Sequence, residues 1–152
     1  MSAASGLQLE LELPASASLA AGRCPASVRL RNAGSQAVMV NARLAVGYEG
    51  TVARELYADL LDAGTGAPAG FQVVDYDRDL APPSAYRALA PGDVVTAHFD
   101  LFEWYAPLAP GRYRVVLHYQ ADEPLARPPA DGAVALAHGK NDSAPVELLV
   151  EQ

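Results

Sequence analysis

The sequence predicts an all-β chain folded as an antiparallel β-sandwich of about seven to nine strands. One indication is the tetrapeptide Leu-Ala-Pro-Gly, which occurs at residues 89–92 and again at 108–111. Proline presets φ and glycine accepts conformations that other residues resist, so each copy predicts a turn that starts a strand. The other indication is that apolar residues occupy every second position between turns, which is the period of a half-buried strand.

Three strands are predicted in the first third of the chain. Residues 7–13 alternate leucine with glutamine or glutamate, and the small residues at 15–22 follow as a loop. Residues 26–31 alternate again, and the residues at 32–35 predict a turn, since Asn and Gly tolerate positive φ. The third strand is predicted at 37–47. This opening indicates an edge strand followed by a hairpin.

The middle of the chain is less regular. Residues 55–62 are apolar enough for either a strand or a short helix, and periodicity does not separate the two. A turn is predicted at 64–68, where glycine and proline cluster, and a strand at 71–76. Residues 77–88 contain two consecutive prolines and are predicted as a loop.

The last third of the chain is predicted to contain strands, a helical turn and a long connection. The strands are 93–101, 112–120 and 144–150. A short helical turn at 102–108 is expected to cross one end of the sandwich. Residues 121–140, rich in Pro, Ala and Gly, form a connection within which 132–137 are a candidate strand. Connections of this length are usually functional or mobile.

Length and charge indicate one folded domain that does not bind nucleic acid. The chain has 152 residues, of which 51% are hydrophobic, enough for a real core. We expect a flexible N-terminus at 1–6 and a single domain over 7–152. The formal net charge is −7, and Lys140 is the only lysine. Nucleic acids and anionic membranes require clustered Lys and Arg, so neither is an expected partner.

The beginning of the chain bears on its location. Residues 1–6 lack the basic and apolar stretches of a signal peptide, and no apolar run approaches transmembrane length. We expect a soluble protein, cytoplasmic if Met1 is the native start, and secreted or periplasmic if a leader has been trimmed. The Ala, Arg and Pro content favours a bacterial source. Asn141-Asp-Ser143 matches the N-glycosylation pattern, which a cytoplasmic chain would not use.

The order of turns and strands resembles known sandwich modules. Pro25-Ala-Ser-Val-Arg-Leu-Arg-Asn32 resembles bacterial immunoglobulin-like modules whose second strand ends in an Asn-Gly-type turn. Other segments are similar to the β-sandwich that precedes the catalytic part of deuterolysin-like zinc metalloendopeptidases. These segments are Tyr86-Arg-Ala-Leu-Ala-Pro-Gly-Asp93, Phe99-Asp-Leu101 with Tyr105, Pro110-Gly-Arg-Tyr-Arg-Val115 and Gly139-Lys-Asn-Asp-Ser143 with Val146-Glu-Leu-Leu-Val150. The resemblance implies an immunoglobulin-like sandwich that accompanies another protein.

No motif in the chain predicts catalysis. There is no His-Glu-x-x-His helix, so the zinc and general-base machinery of those peptidases is absent. Glu10 and Glu12 are predicted on an exposed strand face, Asp59 and Asp62 flank apolar residues, and nothing marks a cleft. Cys24 is the only cysteine and is expected to be a small residue at the start of a strand. The expected protein is therefore not an enzyme and takes no cofactor.

No metal site is predicted either. His98 and His118 are expected on outer faces of opposite sheets, too far apart to share an ion, and all three histidines, with His138, are expected to be exposed. Asp75, Asp77 and Asp79 begin like a calcium loop. Leu80 stands where such a loop needs glycine and Tyr86 where it needs glutamate, so a hydrated acidic turn partly neutralised by Arg78 is favoured.

The sequence predicts a protein-binding accessory module that acts through loops or a sheet edge. Trp104 lies beside Phe102 and Tyr105, and this aromatic group is either a plug for the open end of the sandwich, the favoured interpretation, or a platform for a sugar or a partner. Homodimerisation through a sheet edge is an ordinary extension. The alternatives are a peptidase inhibitor of immunoglobulin-like fold and a carbohydrate-binding module. The candidate partner-binding residues are Tyr48, Glu49, Asp75, Asp77, Arg78, Trp104, Asp122, Glu123 and Arg127.

Overall fold

A computed structural model of the chain describes residues 6–44, 55–69, 83–104, 108–120 and 140–152. These residues confirm the predicted all-β class, since helix is limited to α1 (Leu101–Trp104) and a 3-10 turn at Pro83–Ala85. The strands are β1 Leu7–Glu12, β2 Ser16–Ser18, β3 Pro25–Asn32, β4 Val38–Asn41, β5 Leu56–Asp62, β6 Tyr86–Leu89, β7 Val94–Asp100, β8 Gly111–Tyr119, β9 Asn141–Asp142 and β10 Val146–Glu151. In this part of the chain, no helix is long and apolar enough to cross a membrane.

The described strands form three sheets. Sheet 1 has the order β1–β3–β7, and both of its pairs are antiparallel. Sheet 2 has the order β2–β10–β8–β5, with β9 also paired to β8. Sheet 3 is the antiparallel pair of β4 and β6. β8 lies at the centre of sheet 2, because β5 pairs with it along one edge and β10 along the other.

The N-terminal segment of the chain belongs to both large sheets. β1 pairs antiparallel with β3 in sheet 1, whereas β2 pairs parallel with β10 in sheet 2. Pro14 lies between β1 and β2, and its fixed φ and missing N–H interrupt strand pairing there. One short segment therefore joins an edge of sheet 1 to an edge of sheet 2.

Sheets 1 and 2 contribute to one hydrophobic core. The alternation predicted for β8 is confirmed, since Tyr113, Val115, Leu117 and Tyr119 are all buried. They pack with inward residues of β1, β3, β5 and β10 in one cluster. Its fully buried members include Val28, Leu30, Leu56, Leu89, Leu101, Leu148 and Val150.

Asn32 joins two turns at one end of sheet 1. Its side-chain Nδ2 donates to the carbonyl oxygens of Gln36 and Leu89, each at 2.8 Å, and its Oδ1 accepts from the Gly34 N–H at 3.0 Å. Its own carbonyl accepts from the N–H of Gly92, whose φ is +90°. The first Leu-Ala-Pro-Gly copy is therefore a turn, as predicted, and a residue distant in sequence holds it.

The ambiguous segment 55–62 is a strand. β5 pairs antiparallel with β8 over its whole length, from Leu56 opposite Tyr119 to Asp62 opposite Tyr113. Strand pairing therefore decides a choice that periodicity left open. The described residues contain ten strands, against about seven to nine predicted.

Two predicted loops contain short strands, and these two predictions are wrong at those positions. β2 lies within the predicted loop 15–22, and the predicted loop 77–88 ends in the first residues of β6. β2 forms because β10 is beside it, and β6 because β4 is beside it. A local pattern does not contain these partners.

Other boundaries differ from the prediction by a few residues. β4 ends at Asn41, so the predicted strand 37–47 is shorter over its described part. The predicted helical turn at 102–108 begins one residue earlier, as α1, and residues 105–107 lie outside the described residues. The predicted strands at 71–76 and 132–137 lie outside them as well.

Candidate functional site

A groove runs along β1, the edge strand of sheet 1, and has a volume of about 440 Å³. One wall consists of consecutive residues of β1, and the other is the end of β9 with the segment that leads into β10. The described residues that line it are Leu7, Gln8, Leu9, Glu10, Leu11, Asp142, Ala144 and Val146. The groove therefore lies between an edge of sheet 1 and a segment that belongs to sheet 2.

The outer edge of β1 carries peptide groups that sheet 1 does not use. The N–H of Ala33 donates to the carbonyl of Gly6 at 2.9 Å. Counting along the register from this pair, Gln8 and Glu10 are the residues of β1 that bond to β3. In an antiparallel ladder, every second residue directs its N–H and C=O away from the neighbouring strand. Leu9 and Leu11 are such residues, and among the described strands none pairs with that edge. β1 thus presents backbone donors and acceptors on the side of the groove.

The groove combines apolar and acidic surface. Leu7 and Leu9 are buried, whereas Gln8 and Glu10 alternate to the exposed outer face of β1. On the opposite wall, the side chain of Asp142 is 45% exposed. An extended segment in the groove would have leucine on one side and carboxylates on the other.

His118 holds the acidic wall in place. Its Nδ1 lies 2.6 Å from Oδ1 of Asp142, and its Nε2 lies 2.8 Å from Oδ2 of Asp59. The Tyr57 ring packs against the imidazole with centroids 4.8 Å apart. A carboxylate only accepts, and an imidazole donates from both nitrogens only when protonated, so both contacts are complete in the charged form of His118.

The prediction that His118 is exposed is wrong. It lies on the outer face of sheet 2, as its alternation requires, but it is only 4% exposed there. His98 is exposed on β7 and lies 3.2 Å from the Ser27 hydroxyl. His138 lies outside the described residues.

The Asp59–His118–Asp142 group is not arranged to bind a metal ion. Its two carboxylates contact opposite nitrogens of one ring, so the three side chains do not converge on a point. Within the described ranges, no group of three or more His, Cys, Asp or Glu residues has the geometry to hold a metal ion.

The residues on either side of Asp142 anchor the same wall. The Ser143 hydroxyl accepts from the Leu117 N–H at 2.9 Å, and the Ser143 N–H donates to the Leu117 carbonyl at 2.8 Å. Asn141 is 2% exposed, and among the described residues neither its Oδ1 nor its Nδ2 has a hydrogen-bond partner. The N-glycosylation pattern at 141–143 is therefore buried at its asparagine.

A second polar cluster lies between sheets 2 and 3. Arg43 forms a two-pronged ion pair with Glu55, with Nε 2.9 Å from Oε2. The Asn41 N–H donates to the Tyr119 hydroxyl at 2.9 Å. Burial, and secondarily the Glu55 charge, raise the pKa of Tyr86, with Arg43 opposing them. Within this cluster the Glu55 side chain is buried, and the Arg43 side chain is 18% exposed.

Cys24 is a buried free thiol, as expected for a small packed residue. Burial, and secondarily the nearby Asp100 carboxylate, raise the pKa of the Cys24 thiol to about 11. The same carboxylate accepts from the Cys24 N–H at 2.9 Å and from the Phe102 N–H at 3.0 Å. Since the thiolate is the nucleophile, this thiol is suited to packing and not to catalysis.

Most of the partner-binding residues predicted from sequence cannot be placed. Trp104 ends α1, and its side chain lies outside what the structure describes. The other candidates lie wholly outside the described residues: Tyr48, Glu49, Asp75, Asp77, Arg78, Asp122, Glu123 and Arg127. Their roles remain predictions.

Sequence reasoning missed the groove because its walls come from opposite ends of the chain. The alternation of β1 places Glu10 on an exposed face, and Pro14 marks a strand end, so one wall was recognisable. Nothing near Asp142 indicates that it lies beside β1. A scan against protein-family models finds no match to this chain, and a search of curated proteins finds none either.

Proposed function

We propose that this chain is a non-catalytic protein-binding module with an immunoglobulin-like β-sandwich fold, and that it binds an extended segment of a partner along β1. The observation that carries the proposal is that the outward peptide groups of Leu9 and Leu11 lie along the groove. An added strand would bond to those groups and place every second side chain over the buried leucines. This is recognition by β-strand addition, in which the main chain supplies affinity and alternate side chains supply specificity.

The sandwich part of the proposal is supported by topology. Sheets 1 and 2 share one core, and the chain passes between them several times, from β1 to β2, from β2 back to β3, and from β7 to β8. Such exchanges are typical of the Greek-key connections of immunoglobulin-like domains.

The absence of catalysis is supported by the state of the chemically capable side chains. Glu55 is neutralised by Arg43, His118 is held by two carboxylates, and Cys24 is buried with a raised pKa. The inhibitor and carbohydrate-binding alternatives depend on loops and on the Trp104 side chain, which lie outside the described residues. The groove favours neither of them.

The test is a selection of random displayed decapeptides against the whole chain, followed by amide hydrogen exchange on each complex. We expect selected peptides to slow exchange at Leu9 and Leu11, because an added strand bonds to those peptide groups. Slowing confined to residues 45–54 or 121–139 would instead assign binding to those segments and overturn the edge proposal.

The matched variants are Leu11→Pro and Leu11→Ala. Both shorten the same partly buried side chain, but only proline removes the outward N–H. We expect Leu11→Pro to weaken binding of the selected peptides at least tenfold, and Leu11→Ala to weaken it no more than about twofold. Equal effects of the two variants would contradict strand addition.

A further inference from the structure

The charge of the groove narrows the chemistry of its occupant. We infer that β1 takes a strand in which apolar residues alternate with lysine or arginine. This inference rests on the proposed function and adds the class of partner. Three observations support it: the carboxylates that flank the groove, the alternation of apolar and polar residues along β1, and the lack of a cation in a second copy of β1.

Glu10 supplies one carboxylate. It is exposed on the outer face of β1 and, among the described side chains, makes no ion pair. Arg29 lies opposite Glu10 in the ladder, on the side of β1 away from the groove. Directly opposite residues share a face, so Arg29 is a neighbour of Glu10, but no described ion pair joins the two, and a cation in the groove would approach Glu10 from the other side of β1.

Asp142 supplies the second carboxylate from the facing wall. His118 contacts its Oδ1, which leaves Oδ2 for a second donor. Together with Glu10, Asp142 places two carboxylates on the lining of the groove. An ammonium or guanidinium group between the walls would have a carboxylate on either side, and Arg would satisfy both with its fork of donors.

The alternation of buried and exposed residues along β1 predicts an alternating sequence in the strand that binds there. Along β1, buried Leu7 and Leu9 alternate with exposed Gln8 and Glu10. Successive side chains of an added strand point to opposite faces, so they meet the leucines and the carboxylates in turn. The five lining residues of β1 span about 13 Å at 3.3 Å per residue, which accommodates a strand of similar length.

A second copy of β1 would bring no cation to the groove, because β1 contains no lysine or arginine. Antiparallel self-pairing of β1 around Leu9 brings Gln8 opposite Glu10, and self-pairing around Glu10 brings two Glu10 carboxylates face to face. In the first register Glu10 gains no cationic partner, and in the second the like charges destabilise the strand pair. A basic segment therefore complements the groove better than a second copy of β1.

The test uses four synthetic peptides capped at both ends, measured by isothermal titration against the whole chain. The first alternates Lys with Val over seven residues, the second replaces Lys by Thr, the third replaces Lys by Glu, and the fourth has the first composition in two blocks. We expect the Lys–Val peptide to bind about tenfold tighter than the Thr–Val peptide at ~20 mM salt, and the advantage to shrink severalfold at ~300 mM salt. The Glu–Val and block peptides should not bind measurably.

Two pairs of variants locate the effect. Glu10→Gln and Glu12→Gln remove the same charge from the same face of β1, but only Glu10 lines the groove. Asp142→Asn and Asp59→Asn each alter one contact of His118, but only Asp142 lines the groove. Glu10→Gln and Asp142→Asn should weaken binding of the Lys–Val peptide at least fivefold. The controls Glu12→Gln and Asp59→Asn should weaken it less than twofold.

The outcomes separate the inference from the proposed function. Equal binding of the Lys–Val and Thr–Val peptides, with slowed exchange at Leu9 and Leu11, would overturn the basic partner and leave strand addition standing. Binding of the Lys–Val peptide without slowed exchange at those amides would overturn both. A dimer in sedimentation that Leu11→Pro dissolves would also overturn the inference, because it would make a second copy the occupant.

Discussion

Glu55 is a buried carboxylate that forms an ion pair with Arg43. It is 1% exposed, and Arg43 contacts both of its oxygens. Each charge compensates the desolvation of the other, so removing Arg43 takes a compensating charge away from the buried carboxylate. The pair joins the end of β4 to the start of β5, across the chain segment 45–54.

We predict that Arg43→Met lowers the free energy of unfolding by about 3 to 5 kcal/mol, the usual cost of breaking a buried ion pair from one side. The measurement is urea denaturation followed by tryptophan fluorescence and far-ultraviolet circular dichroism. The double variant Arg43→Met/Glu55→Met should recover most of the loss, because it leaves no buried charge. A single variant within about 0.5 kcal/mol of the parent would contradict this account.

At the scale of elements, the turns at one end of sheet 1 depend on a single side chain. Asn32 ends β3, and its amide bonds to the turn that follows β3 and to the carbonyl of Leu89 at the end of β6. Gly6 lies close by, since a Cβ on it would come within 2.9 Å of the Gly34 Cα. The two turns and the start of β1 are thus packed around one residue.

Asn32→Asp tests this arrangement with an almost unchanged shape. An ionised carboxylate has no N–H, so it would face the carbonyl oxygens of Gln36 and Leu89 as acceptor against acceptor. We expect a loss of about 3 to 5 kcal/mol in the free energy of unfolding, because the buried charge is unpaired. Asn32→Ala loses the hydrogen bonds without adding a charge and should cost about 1 to 3 kcal/mol. An aspartate variant as stable as the alanine variant would show that Nδ2 donates nothing important.

At the scale of the whole molecule, the core contains acids that the fold keeps protonated. Burial raises the pKa of the Cys24 thiol from 9.0 to about 11. Burial also raises the pKa of Tyr119 and Tyr86 above the ordinary value of 10.0. All three groups lie in or against the shared core, so their titration acts on the stability of the whole fold.

We predict a loss of stability at alkaline pH. Below the ordinary thiol value of 9.0, all three groups are protonated in both states, and their stabilising contribution is fully present. Above it the unfolded chain loses protons first, so unfolding becomes easier as pH rises through about 11, the folded value of Cys24. The measurement is the urea midpoint from pH 7 to pH 11.

The controls for this prediction are Cys24→Ala and Tyr86→Phe. Each removes one raised acid, so each should make the decline of the urea midpoint between pH 9 and pH 11 shallower. A parent midpoint that stays constant to pH 11, or a decline that neither variant changes, would show that these groups do not govern alkaline unfolding.

Short-range features of this protein follow from the sequence by itself. The alternation of β1, β3 and β8 involves neighbours a few residues apart, and so does the Asp93 N–H to Ala90 carbonyl bond within the first Leu-Ala-Pro-Gly turn. These local features predicted the all-β class. The burial of Cys24 follows from residue type alone. Features of this kind involve residues only a few positions apart, so a short stretch of sequence contains all the residues that produce them.

Only the tertiary structure decided which edges meet. β2 and β6 exist because a distant strand lies beside them, and His118 is buried on a face where alternation predicts exposure because Asp59, Asp142 and Tyr57 surround it. The groove brings β1 beside residues 142–146. These contacts join segments far apart in sequence, and their partners are selected by the packing of a common core, which no local pattern encodes.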